Sequence, residues 1–153
     1  MRVLSLPTIV LGGVLLALPV QAQDGKVTLI SKAPFAKVAE TLEKAVGDHK
    51  MALVCHANAR QGAAARGVKI AGNQVFMVFR NDFAVRILAA APGAGFEAPI
   101  RLYLYENRDG TATLTYVKPS AVFRAYPQPE VGKVAAELDP IFERIVSQAL
   151  AAR

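Results

Sequence analysis

Cys55 and His56 stand side by side in this 153-residue chain, and thiolate with imidazole is a donor pair for soft metals and for haem iron. A copper or haem site would be built on His56 or Cys55, with a methionine such as Met77 or a tyrosine as a further ligand. The run that carries the pair, Met51 to Ala57, reads as a strand. Adjacent side chains on a strand point to opposite faces, so both cannot hold one ion unless a bulge breaks the alternation. A cysteine–histidine dyad meets the same obstacle, because nucleophile and base must converge. The plain reading is a buried cysteine acting as a small hydrophobe beside a hydrogen-bonded strand histidine. His49 follows Gly47 at a helix end and is expected in solvent near the last helix carbonyls.

A second constellation surrounds Asp109-Gly110, which reads as the two-residue turn of a hairpin between Ile100–Glu106 and Thr111–Val117. That turn pairs Arg108 with Thr111, Tyr105 with Leu114, Tyr103 with Tyr116 and Arg101 with Lys118. Arg101, Tyr103, Tyr105, Tyr116 and Lys118 then share one face, and Ile100, Leu102, Leu104, Thr115 and Val117 the other. The aliphatic face is the expected core. The tyrosine face has three uses open to it: a dimer interface, ordinary half-exposed sheet surface, or a site that stacks a planar anion, with a cation taking the charge and a tyrosine hydroxyl the hydrogen bond. Asn81, with Arg101 and Tyr116, would line the pocket of a small enzyme on a further reading.

Signals for familiar enzymes are missing. After residue 22 the serines are Ser31, Ser120 and Ser147, none in a nucleophile-elbow context, and there is no zinc-peptidase helix, phosphate-cradling glycine loop or paired-cysteine motif. Glu97, Glu106 and Asp109 read as solvated strand-end or loop carboxylates. No catalytic residue is assigned, no cofactor is required, and the balance falls against an enzyme.

The elements that must position these residues are legible from periodicity. Val27–Ile30 is a first strand. Phe35, Val38, Leu42, Ala45 and Val46 recur at helical steps up to Gly47. Ala59–Arg66 follows the second strand as a short helix, and Gln74–Arg80 is a third strand with apolar residues on both sides. Asn81 or Asp82 is the expected cap of a helix through Ala91, and Pro92-Gly93-Ala94-Gly95 ends it as a loop. Val134, Leu138, Ile141, Ile145 and Ala149 keep one face of a terminal helix, 130–152, in step through Pro140, which either kinks it or starts a second. Alternating strands and helices, then a hairpin and a helix, predict an α+β fold of two layers, helices on a mixed sheet of about five strands. If helices cover only one face, the third strand's other side is left for a partner subunit.

Arg2, an apolar stretch from Val3 to Val20 and Val20-Gln21-Ala22 have the form of a cleavable signal peptide over residues 1–22, cut after Ala22. Pro7, Gly12, Gly13 and Pro19 weaken the rival reading of a retained membrane helix. The remaining 131 residues, 23–153, suffice for one domain. Cleavage removes one cation and no acid, taking the formal charge from +6 to +5. The expectation is a periplasmic protein with no membrane anchor after processing and no nucleic-acid partner; the scattered positive excess favours a small anionic ligand or a membrane surface. A lone cysteine in an oxidising compartment forms no internal disulfide.

The runs Gln74–Asn81, Ala98–Glu106 with Asp109-Gly110, and Tyr116–Pro119 resemble the bacterial family known as domain of unknown function 302, over roughly Phe35 to Tyr126. That family has a glycine-asparagine-proline step after the third strand, where this chain has Arg80-Asn81-Asp82 and keeps only Asn81. The resemblance implies a compact α+β fold and a homodimer, and it carries no established activity. The sequence therefore reads as an exported, non-catalytic binding or interaction domain of unknown ligand, with a metal- or haem-binding protein as the alternative.

Overall fold

Residues 25–152 are described by the structure, a computed structural model; the signal-peptide reading of residues 1–22 lies outside them. Runs with β-branched or aromatic residues form β1 (Lys26–Pro34), β3 (Asn73–Phe79), β4 (Ile100–Glu106) and β5 (Thr111–Val117), and the small, mostly uncharged run Ala52–Asn58 forms β2. Between and after them lie α1 (Phe35–Asp48), α2 (Ala59–Ala64), α3 (Asn81–Ala90), the four-residue α4 (Pro119–Val122) and α5 (Pro129–Leu150). The strands make one sheet in the order β1-β5-β4-β3-β2. This is the expected α+β architecture, with helices on a five-stranded sheet that includes the hairpin.

Every pairing in that sheet is antiparallel, where a mixed sheet was expected. α2 has six residues and buries none of them, so it does not pack on the sheet as the crossover helix of a parallel pair does. β3 runs back beside β2, and β4 beside β3.

One face of the sheet is covered. Phe76, Val78, Leu102, Leu104 and Leu114 are buried there with Val38, Leu42 and Val46 of α1 and Val134, Phe142 and Ile145 of α5. Burying each such side chain contributes about 1.5–3 kcal/mol. α5 passes through Pro140 as one helix. The proline leaves the carbonyl of Ala136 without its helical partner, and Ala136 lies on the exposed side, where water reaches it. At the rim, Arg86 of α3 reaches two carboxylates of α5, Glu130 at 2.7 Å and Glu137 through two hydrogen bonds of 2.8 and 2.9 Å. Bidentate contact of this kind raises the guanidinium above its ordinary value and holds the Glu137 carboxyl below its own.

Neither Asn81 nor Asp82 caps α3. Asn81 is its first helical residue and the capping position belongs to Arg80. The Arg80 guanidinium hydrogen-bonds both carboxylate oxygens of Asp82, at 2.7 and 3.1 Å, and lies over the Phe83 ring at 3.9 Å. Pro92-Gly93-Ala94-Gly95, expected as loop, is part of a 3-10 helix, Pro92–Glu97.

The hairpin has the expected strands and a different turn. The Gly110 amide donates to the Asn107 carbonyl and the Asn107 amide to the Thr111 carbonyl, so the loop holds three residues, Arg108-Asp109-Gly110, with Gly110 in the left-handed region at φ 81°. This is a type I turn closed by a bulged glycine. Asp109 fastens it by accepting from the Thr111 amide and hydroxyl, which holds its carboxyl below the usual range. One more residue in the loop moves the register by one. Tyr105 faces Thr113, Tyr103 faces Thr115 and Leu102 faces Tyr116. Because side chains alternate with period two, every residue of β5 changes face relative to the expected pairing.

Candidate functional site

With helices on one face, the other carries Lys26 and Thr28 of β1, Thr115 and Val117 of β5, Arg101, Tyr103 and Tyr105 of β4, Val75 and Met77 of β3, and Cys55 and Ala57 of β2. Three of the residues expected to share a binding face do share it: Arg101, Tyr103 and Tyr105. Tyr116 does not. It lies on the covered face, 4% exposed, with its ring 6.3 Å from that of Phe142, and burial raises its hydroxyl above the ordinary value. Lys118 follows the strand and donates to Glu143 of α5 at 2.9 Å, which raises its ammonium. Asn81 is exposed at the start of α3. Arg101 and Tyr116 both border a groove between β4 and β5, though their side chains leave opposite faces of the sheet, and Asn81 is not among its lining, so the enzyme pocket expected from Asn81, Arg101 and Tyr116 is not assembled.

A groove of about 470 Å³ opens on the uncovered face, at the end where β4 begins and β5 ends. Val75, Tyr103, Thr115 and Val117 line it from the strands, Glu97 and Pro99 from the segment before β4, and Val122 from α4. Local chemistry fixes these parts. The Asn73 amide donates to the Tyr103 hydroxyl at 2.6 Å, and the Tyr103 and Tyr105 rings lie 5.7 Å apart. Tyr126 donates to the Gly93 carbonyl at 3.2 Å and to Glu97 at 3.4 Å. Glu97 and a desolvated setting raise the Tyr126 hydroxyl, desolvation the more.

Two cations line the groove, Lys26 and Arg101. Neither forms an ion pair among the described residues, whereas Arg60, Arg80, Arg86 and Lys118 all do. Together with an aromatic ring and a threonine hydroxyl they can take a flat molecule bearing negative charge. Lys26 and Val75 were not among the site residues singled out from the sequence, and Thr115 was expected on the aliphatic face. The place of Thr115 follows from the hairpin register, and that of Lys26 from β1 lying beside β5, a pairing that no local pattern in residues 26–34 announces.

The cysteine and histidine fall as strand alternation requires. Cys55 is exposed opposite Met77 on the open face. His56 stacks on Phe76, a residue of the covered face, with ring centroids 4.4 Å apart, and its Nε2 lies 3.0 Å from the side-chain oxygen of Gln74. A bulge is present in β2, but its extra residue is Val54, ahead of the pair, so it does not bring the two together. Cys55 is also not the buried residue that the plain reading supposed. Among the described residues no three of His, Cys, Asp and Glu form a group able to hold a metal ion. His49, expected in solvent, is half-buried with its Nε2 3.1 Å from Gln148 of α5. Glu106 is more than a solvated strand end: it accepts the Gly72 amide at 2.7 Å and pairs with Arg60 at 3.3 Å, clasping the chain that enters β3.

Residues 27–149 match the family described as domain of unknown function DUF302. The chain belongs to the DUF302 family. The fold agrees with that of a solved structure, an uncharacterized conserved DUF302 protein from Bacillus stearothermophilus, at a TM-score of 0.71 and 16% identity, over 82% of this chain and 98% of that one. No curated protein matches. At that identity the likeness shows the fold alone, so the groove of this DUF302 domain has to be read from its own residues.

Proposed function

We propose that this DUF302 domain is an exported, non-catalytic binding domain that works as a homodimer and takes a planar, anionic small molecule in the groove of its open sheet face. The observation that carries the reading is the pair of cations, Lys26 and Arg101, which form no ion pair among the described residues and stand beside the Tyr103 ring in a groove of ligand size. Arg101 supplies charge-assisted hydrogen bonds to the anion, Tyr103 a stacking surface, and Thr115 a hydroxyl. Export rests on the sequence of residues 1–22 and is checked by the intact mass of protein from the periplasmic fraction, expected to lack those residues.

The groove is tested with anilinonaphthalene sulfonate, an aromatic anion whose fluorescence rises in apolar surroundings. Titration is expected to saturate at one dye per chain, and Arg101→Glu to weaken it about tenfold or more. Binding unchanged in Arg101→Glu and in Tyr103→Ala overturns the assignment. Cys55 standing opposite Met77 favours a second reading, a soft-metal site such as copper. Stoichiometric metal in protein purified without chelator, lost in Cys55→Ala, would support it.

A further inference from the structure

The two edges of the sheet are unlike. β1 carries Lys26, Lys32 and Pro34, and its register breaks between Ile30 and Pro34; cations, proline and irregularity are what keep an edge strand from pairing. β2, at the opposite edge, reads Ala-Leu-Val-Cys-His-Ala-Asn, without a Lys, Arg, Asp, Glu or Pro. Five of its seven residues are exposed, and its outer backbone groups have no strand beside them among the described residues. Its single irregularity is the bulge at Val54.

We infer that two copies of this chain join along β2, antiparallel, about a two-fold axis at Cys55, to make one sheet of ten strands. This rests on the homodimer reading above and names its surface. A strand laid antiparallel to its own copy is self-complementary, as a two-fold interface requires. Cys55 is the middle residue of Ala52–Asn58, so this centre gives the longest overlap. Because Val54 is the extra residue of the bulge, Leu53 and Val54 together stand against His56 and Ala52 stands against Ala57, residues of the same sheet face, and no two like charges meet. Lys50 and Arg60 bound the paired stretch, and Arg60 is engaged by Glu106. The tyrosine face, the interface expected from the sequence, is then left free for the groove.

The arrangement puts Cys55 opposite its own copy, on the same face. Directly opposed antiparallel residues have Cα atoms about 4.5–5.5 Å apart, inside the range of about 4.4–6.8 Å that a disulfide spans. The cysteine therefore reports the register. The full chain, purified in reductant, is examined by size-exclusion chromatography with light scattering, then treated with diamide. The two thiols give up two electrons and two protons to the diazene, which becomes the hydrazine, and the S–S bond forms.

The expected result is a dimer in reductant that diamide links covalently. Cys55→Ser should remain dimeric and unlinked, and Val54→Lys should raise the dimer dissociation constant about tenfold or more. Ile30→Lys, on the other edge, should leave it unchanged. Val54 and Ile30 are 49% and 74% exposed, so both variants should keep the wild-type circular dichroism. A dimer that diamide does not link, or one broken by Ile30→Lys and not by Val54→Lys, overturns this surface and leaves the homodimer reading standing. A monomer at every concentration overturns both.

Discussion

Strand β4 belongs to two regions at once. Ile100, Leu102 and Leu104 lie under the helices, almost without exposure, while Arg101, Tyr103 and Tyr105 alternate with them on the open side. The covered residues are aliphatic and interchangeable in kind; the open ones are aromatic or charged, each with a distinct chemical handle. Stability accounts for the first set. A strand with one solvated face does not need two tyrosines and an arginine without an ion pair among the described residues there, and the proposed groove draws on that second set.

The contrast is broken most severely by a change of register. Deleting Ala112, the residue of β5 opposite Glu106, slides the rest of the strand by one, turning Thr115 and Val117 toward the helices and Tyr116 outward. Loss of the cooperative thermal transition is expected, followed by near-UV circular dichroism. Next in size, Leu104→Ala should cost about 2–5 kcal/mol in urea unfolding and Tyr105→Ala less than about 1 kcal/mol. Equal losses would erase the difference between the faces. Gly110→Val, at φ 81°, should cost about 1–2 kcal/mol without moving the register.

The smallest effect concerns pH. Arg86 holds the Glu137 carboxyl below its ordinary value in the folded chain, so its stabilisation is complete above the ordinary carboxylate range and lost as pH falls through the lowered folded value. Melting temperatures measured across about pH 3 to 7 should show part of the acid-side decline removed in Arg86→Met. No corresponding change is expected above neutrality.

Much of this architecture was legible in the sequence, because period-two and period-3.6 patterns are local. The stripe of Val38, Leu42 and Val46 and the alternation in Ile100–Glu106 each name an element and its buried side. What was not legible depends on one residue of loop length or on distant pairing. Asp109-Gly110 suits a two-residue turn as well as the end of a three-residue loop, and the choice decides whether Tyr116 sits in a site or in the core. The seat of Lys26 at the groove depends on β1 lying beside β5, ninety residues away in register terms. Helices between strands suggested parallel crossovers; α2 was legible as a short helix, but that it buries none of its residues depends on tertiary packing that the local pattern does not announce.

For protein engineering the three-residue loop has an unexpected meaning. Hairpin tips are usually where tags, insertions and circular permutations are placed with least harm. Here Asp109 grips the amide and hydroxyl of Thr111, and Asn107 grips Thr111 and Thr113, so an insertion between Asn107 and Thr111 would break the contacts that seat the start of β5. The exposed stretch from Gly62 to Ala71 is the safer place to lengthen the chain, and among relatives length variation should collect there.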